Sequence, residues 1–421
     1  MKRLLHLLGL GWFLKWLLGR WRTGLVRSRS SARSLARTED GVEPKRSRIK
    51  RWILKGAAIL LLLALGGFLL SASGLVSIKA SSGHWAATRW FLQFSKGRSV
   101  STHAMGLKPP RLTDATQVLK GAGHYETGCA PCHGSPLRAQ PRVAEKMLPR
   151  PPNLRFSRAR WAPNELFYIV KHGIKLTGMP AWPASMRDDE VWAVVAFLEM
   201  LPRMTADEYR QLANGGIDLP DTARLEKLEP TNMPPRLAKE SCARCHGIDG
   251  NGRGSSAFPK LAGQKVEYLE RSLQAYARGQ RHSGIMEPVA AGLDAPAIRE
   301  LAEYYASLPR KFDWPADSPS IDAKSLERGR VIAQFGIPKQ GVPACIECHG
   351  ADSLPRNAVY PSLAGQYHEY LLLQLELFHK NQRGGTDYSH LMQTVAKRLA
   401  PEQMRDVALY WSLARRDVGS E

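Results

Sequence analysis

The six cysteines of this 421-residue chain all fall into three copies of one short motif. In each copy, two cysteines separated by two residues are followed directly by a histidine and then a glycine. Two thiols at this spacing can reach both edges of one porphyrin and add to its vinyl groups, and the adjacent imidazole can bind the iron beneath. The motifs therefore predict three covalently bound haem c groups. The expected attachment residues are Cys129, Cys132, Cys242, Cys245, Cys345 and Cys348, and the expected iron ligands are His133, His246 and His349.

Zinc is the main alternative for an isolated pair of cysteines, because structural zinc sites combine four thiolate or imidazole ligands. No further cysteine pair exists to complete such a site, and none is left for a disulfide or a nucleophilic thiol. The cysteine pattern therefore favours haem over zinc.

A sixth iron ligand must come from outside each motif, and a methionine recurs 40 to 50 residues after every one of them. Methionine is common in cores, but its soft thioether is also a frequent sixth ligand of haem iron. The predicted ligands are Met179, Met286 and Met392. Histidines nearby leave two-histidine coordination open as an alternative, with a lower reduction potential. These histidines are His172, His282 and His390.

Met179 lies in the most specific of the three distal segments, Gly-Met-Pro-Ala-Trp at 178–182. We expect Gly178 to let the backbone approach the haem edge and Pro180 to fix the turn that follows. Trp182 either donates its indole N–H to a haem propionate or packs as an ordinary core residue.

The elements that position these residues are predicted to be helices. Amphipathic patterns indicate helices over 190–201 and 297–308, each ending before a proline, and over 401–413, where proline occupies the first helical position. No long alternating strand pattern appears, so we expect an all-α fold.

Each unit resembles a class I cytochrome c domain. In the first, a glycine and a tyrosine spaced four residues apart precede Cys129, which matches the family's N-terminal helix, where Gly121 would let the C-terminal helix cross closely. The second and third units resemble cytochrome c4, because they share Pro-Lys-Leu-Ala-Gly-Gln at 259–264 and Pro-Ser-Leu-Ala-Gly-Gln at 361–366. The resemblance implies three tandem class I domains that carry single electrons.

Two departures from the family pattern stand out. The second unit has Pro234 and Ala238 where the glycine and tyrosine would fall, so its first helix is expected to be short. The third unit carries an insertion, 336–343, before its motif. Stretches rich in Pro, Gly and Asp separate the units, and the predicted cytochrome c domains are 113–210, 225–312 and 321–417.

The formal net charge is +22, and +13 of it lies in residues 1–79. This basic excess precedes an apolar run at 52–75 that is long enough to cross a bilayer. Because basic residues stay on the cytoplasmic side, the pattern predicts a basic cytoplasmic segment (1–51), a single transmembrane anchor (52–75) and a linker (76–112). The haem domains would then lie in the periplasm of a bacterium, attached to its inner membrane.

The alternative for the apolar run is a cleaved signal peptide with its cleavage site at 71–73. The preceding basic segment would then be unusually long, which favours the anchor. The later part of the chain has no basic helix with interleaved aromatic residues, so no nucleic-acid partner is expected.

Three irons with both axial positions filled predict one-electron transfer rather than catalysis at iron. We expect an electron carrier, not an enzyme, working between a periplasmic donor such as a dehydrogenase and the respiratory chain. Its partners would be the membrane and a periplasmic dehydrogenase or oxidase. The alternative is a peroxidase or another haem oxidoreductase with one open iron, which a carbon monoxide difference spectrum would reveal.

Overall fold

The computed structural model describes residues 45–156, 161–215, 235–312, 321–350 and 356–415. The chain divides into two compact units, residues 1–78 and 79–421. Regular structure in the described residues is helical, apart from one isolated bridge between Ile337 and Val342. The all-α prediction is therefore confirmed.

The N-terminal unit is described as a single helix, α1 (Lys45–Ala72). Its segment Ile49–Ala72 is long and apolar enough to cross a membrane, and its side chains are exposed. The helix ends three residues before the predicted end of the 52–75 span, where the chain turns with Gly74 at φ +72°. Residues 1–44, which include most of the predicted cytoplasmic segment, lie outside the described residues.

The compact unit formed by residues 79–421 is a set of helices. In chain order they are α2 (Ala86–His103), α3 (Ala115–His124), α4 (Ala130–His133), α5 (Arg142–Lys146), α6 (Pro163–His172), α7 (Asp188–Met200), α8 (Ala206–Asn214), α9 (Ala243–His246), α10 (Val266–Ala277), α11 (Met286–Ala291), α12 (Ala295–Ser307), α13 (Ala323–Phe335), α14 (Ile346–His349), α15 (His368–His379), α16 (Ser389–Lys397) and α17 (Pro401–Leu413). The three helices predicted from periodicity are α7, α12 and α17. The last has its predicted bounds, and the other two begin two residues earlier and end one residue earlier.

Side-chain caps explain where several of these helices begin. Asp114, Asp294 and Asp322 accept hydrogen bonds from backbone N–H groups in the first turns of α3, α12 and α13. Thr205 and Glu208 form a reciprocal capping box at the start of α8. These bonds satisfy N–H groups that have no partner inside the helix.

The first and third motif-bearing regions each contain a close helix crossing of the same kind. A Cβ atom at Gly121 of α3 would lie 2.0 Å from the carbonyl oxygen of Ala193 in α7. A Cβ atom at Gly329 of α13 would lie equally close, 2.0 Å, to the carbonyl oxygen of Asp406 in α17. Only glycine permits such an approach. The role predicted for Gly121 is confirmed, and Gly329 repeats it in the third region.

The two places where the sequence departs from the family pattern are the start of the second region and the insertion in the third. In the second region Pro234 lies outside the described residues, and a π-helical turn, Ala238–Cys242, leads into α9. In the third, the insertion forms a short 3-10 turn, Pro338–Gln340, closed by two backbone hydrogen bonds between Ile337 and Val342. The stretches between the three domains lie mostly within 216–234 and 313–320, which are not described. The predicted linker 76–112 is described, and it contains the helix α2.

Each motif lies against its own cluster of buried apolar side chains. The representative members are Tyr125, Phe197 and Tyr209 behind the first motif, Leu301 and Tyr305 behind the second, and Leu371 and Trp411 behind the third.

Candidate haem-binding sites

The six motif cysteines are partly buried. Burial raises the pKa of Cys129 to about 12 and the pKa values of Cys242 and Cys345 to about 11. A neutral thiol is a poor metal ligand. Among the described residues, no group of three or more His, Cys, Asp or Glu side chains is placed to hold a metal ion. The described surroundings of these cysteines therefore do not form a zinc site.

The three motif histidines share one orientation. Each donates from Nδ1 to the carbonyl oxygen of a proline: His133 to Pro152 at 2.8 Å, His246 to Pro259 at 3.1 Å and His349 to Pro361 at 2.9 Å. Donation from Nδ1 fixes the tautomer whose Nε2 lone pair is available to a metal.

Burial keeps these imidazoles neutral. It lowers the pKa of His133 and of His246, and it lowers the pKa of His349 to about 4. A neutral imidazole is the form that binds iron, so the three side chains are in the protonation state that haem ligation requires.

One continuous cavity of about 730 Å³ serves both the second and the third motif. Its lining includes the cysteines and histidines of both motifs and is mostly apolar. It also includes both predicted distal methionines of these units, Met286 and Met392. A cavity of this kind fits large planar apolar groups held at both motifs.

Two buried arginines bring positive charge to this cavity. Arg281 donates to the hydroxyl oxygen of Ser272 at 2.9 Å, and Arg383 donates to the hydroxyl oxygen of Tyr268 at 3.0 Å. Within the described parts of the chain, neither guanidinium has a carboxylate partner. Burial alone would raise the pKa of Tyr268, but the two arginines lower it to about 7. The uncompensated charge suits the propionates of a haem.

His124, at the end of α3, also lines the cavity. Its ring is 6% exposed, and neither nitrogen has a hydrogen-bond partner among the described residues. Burial, followed by the charges of Lys120 and Arg187, holds its pKa well below the usual value. A buried polar ring without a partner is costly, so this edge of the cavity also fits a bound group.

The distal candidates of the second and third units differ in their surroundings. Met392 lines the cavity, whereas the ring of His390 is exposed and is not part of the lining. Met286 and His282 both line the cavity, and His282 contacts the Glu287 carboxylate at 3.3 Å through Nδ1. The geometry therefore favours Met392 over His390 as the sixth ligand of the third haem. For the second haem, both Met286 and His282 remain candidates.

The distal segment of the first unit makes two contacts that the sequence did not predict. A Cβ atom at Gly178 would lie 2.2 Å from the terminal methyl carbon of Met147, so the glycine makes room for that side chain. Trp182 packs in a buried core cluster, as one of its two alternatives predicted, and its indole N–H donates to the Glu190 carboxylate at 3.1 Å. Met179 is half-buried, whereas His172 is exposed and its ring lies tilted against that of Tyr168, with 4.7 Å between the ring centroids. Sequence reasoning did not single out Met147.

We expect Met179→Ala to open one of three irons to carbon monoxide in the reduced protein, because the iron loses its sixth ligand. Met179→His should keep that site closed and lower one of three reduction potentials. Carbon monoxide difference spectra and redox titration measure these effects. Met147→Ala is the matched control, since it removes a neighbouring thioether and should open no iron. If His172→Ala opened an iron and Met179→Ala did not, the methionine assignment would be wrong.

The second and third regions are joined by a reciprocal pair of glutamines. The Gln264 amide accepts from the Ser362 backbone N–H at 2.7 Å and donates to its carbonyl at 3.1 Å. The Gln366 amide does the same to Lys260, at 3.0 and 2.9 Å. These residues belong to the two repeated segments at 259–264 and 361–366. The resemblance between the segments was visible in the sequence, but their mutual pairing was not.

Comparison with known proteins agrees with this geometry. Residues 116–198 match the family described as cytochrome c oxidase, cbb3-type, subunit III, and residues 235–308 match the cytochrome c family. Cytochrome c-552 of Acidithiobacillus ferridurans is 37% identical over 183 residues, covering 42% of this chain and 75% of the relative. A thiosulfate dehydrogenase electron acceptor of Thiomonas intermedia is 35% identical, covering 42% of this chain and 78% of the relative.

Among solved structures, cytochrome c4 of Acidithiobacillus ferrooxidans is 36% identical, with 41% of this chain and 98% of that chain covered and a TM-score of 0.36. Sequence identity and coverage of the relatives, together with three haem-attachment motifs, settle the family. The chain belongs to the class I c-type cytochromes, is similar to cytochrome c4 and carries three covalently bound haem c groups.

Proposed function

We propose that this cytochrome is anchored in the bacterial inner membrane and carries electrons in the periplasm from a dehydrogenase to the respiratory chain. The observation that carries the proposal is the shared cavity of about 730 Å³, because two haem-attachment motifs line the same partly open space. The bound haems supply the one-electron chemistry. The chain supplies neutral imidazoles, thioethers and an apolar lining that excludes water.

The proposal includes the domain bounds 113–210, 225–312 and 321–417 and the axial pairs of each site. These pairs are His133 with Met179, His246 with Met286, and His349 with Met392. Six-coordinate irons would leave no position for a substrate, which favours a carrier over a peroxidase or another haem oxidoreductase. A carbon monoxide difference spectrum of the reduced wild-type protein should show no binding. One carbon monoxide per chain would favour the enzyme alternative.

The choice of a dehydrogenase as donor is supported by relatives named thiosulfate dehydrogenase electron acceptors. The test is to mix the oxidised cytochrome anaerobically with thiosulfate and a catalytic amount of a purified thiosulfate dehydrogenase. We expect all three haems to become reduced after mixing. Their visible absorption measures this reduction. Reduction by ascorbate but not by the enzyme with thiosulfate would contradict this choice of donor.

The anchor is supported by the length and apolar exposure of α1. We expect the full-length protein to remain in the membrane fraction after osmotic shock and alkaline washing. Its mature N-terminus should precede Lys45. Release by osmotic shock with an N-terminus near Gly74 would show that α1 is part of a signal peptide instead.

A further inference from the structure

Glu190 is a buried carboxylate of the first motif-bearing region that bonds to the second. It lies on α7 and is 2% exposed. One carboxylate oxygen accepts from the Ser283 hydroxyl at 2.7 Å, and the other accepts from the Gly284 backbone N–H at 2.6 Å. A buried carboxylate is costly unless it is paired and hydrogen-bonded, so these bonds are strong constraints on both partners.

Further contacts hold the carboxylate and the same segment of chain. The Arg187 guanidinium lies 3.0 Å from a Glu190 carboxylate oxygen, and it also donates to the carbonyl oxygen of His282 at 2.9 Å. Trp182 donates its indole N–H to Glu190 at 3.1 Å. Three consecutive residues, 282–284, are therefore held by side chains of the first region.

This segment leads directly into the predicted distal ligand of the second haem. The Ser283 oxygen that donates to Glu190 also accepts from the Met286 backbone N–H at 3.2 Å. Met286 is the first residue of α11, whose start is therefore fixed by the same hydroxyl. The chain of bonds runs from the carboxylate through one serine to the backbone of the methionine.

We propose that Glu190 is a positioning residue for Met286, through which the first region sets the axial ligation and reduction potential of the second haem. The inference rests on the proposed assignment of Met286 as sixth ligand. It goes beyond the carrier function, because it makes the first region a determinant of the second site.

The test is Glu190→Gln in the full chain with its three haems. The amide keeps the size of the side chain but removes the charge and one acceptor. We expect the carbon monoxide-reactive fraction of one haem to rise roughly tenfold, the change in equilibrium that follows loss of a buried charged hydrogen bond. One of three redox midpoints should shift, and it should be the midpoint that Met286→His shifts. Ser283→Ala should act on the same midpoint, with an effect that is not additive with Glu190→Gln.

Glu126→Gln is the matched control, because Glu126 is a buried carboxylate of the first region whose partners, Arg138 and Tyr209, also belong to that region. It should leave the second haem unchanged. If Glu190→Gln left that haem unchanged while Met286→Ala opened it to carbon monoxide, the positioning role would be wrong and the ligand assignment would stand. If Met286→Ala opened no iron, the ligand assignment itself would fail.

Discussion

Replacing both Cys345 and Cys348 with alanine should reduce the covalent haem from three per chain to two. It should also strongly destabilise the compact unit formed by residues 79–421. The third motif faces the cavity that it shares with the second, so loss of its haem leaves a void next to both sites. Removing a single buried aromatic side chain costs about 3–5 kcal/mol. A porphyrin is much larger, and we expect the free energy of unfolding to fall by more than about 5 kcal/mol.

The haem content is measured by a pyridine haemochrome assay after acid–acetone extraction, and stability by thermal melting of the oxidised protein. The matched variant replaces Cys129 and Cys132 with alanine. It should also remove one haem, but the second and third sites should keep their spectra, because the first motif does not line their cavity. Three haems remaining in either variant would contradict covalent attachment through these cysteine pairs.

Replacing Gln366 with leucine should cost about 2–6 kcal/mol of unfolding free energy. The substitution removes both hydrogen bonds that Gln366 makes to the Lys260 backbone in a buried joint, and losing each of them costs about 1–3 kcal/mol. Gln264→Leu should cost less, about 1–3 kcal/mol, because the Ser362 carbonyl oxygen still accepts from Arg310 at 3.2 Å and only the Ser362 N–H loses its partner. Denaturant titration followed by haem absorption measures both.

Gln274→Leu is the control for this pair. Gln274 is a half-buried glutamine of α10 that donates only within its own helix, to Glu270 at 3.1 Å. Its replacement should change stability by less than about 0.5 kcal/mol. Equal effects of Gln274→Leu and Gln366→Leu would show that the reciprocal amide bonds do not stabilise the joint.

The parts of the sites that the sequence could predict are those encoded by adjacent residues. A cysteine pair and its histidine occupy one helical turn, so attachment and proximal ligation are readable locally. The helical periodicity and the glycine at the α3–α7 crossing are equally local signals, and both agree with the structure. Fold class and cofactor followed from them.

The contacts that the sequence could not predict join residues far apart in the chain. Trp182 packs in the core, which was one of its two predicted roles, but the sequence did not show that its indole N–H bonds to Glu190, a carboxylate that also holds the second region. The contact between Gly178 and the Met147 side chain was likewise not visible in the sequence. Periodicity identifies buried faces without specifying which polar groups meet across them.

The reciprocal amide joint has a consequence for experiments in salt. Its four hydrogen bonds connect uncharged groups in buried or partly buried positions, so changes in ionic strength should have little effect on their strength. Association with a charged redox partner, in contrast, is screened as salt rises. A dependence of electron-transfer rate on ionic strength therefore reports docking of the partner, while the spacing of the second and third sites stays constant.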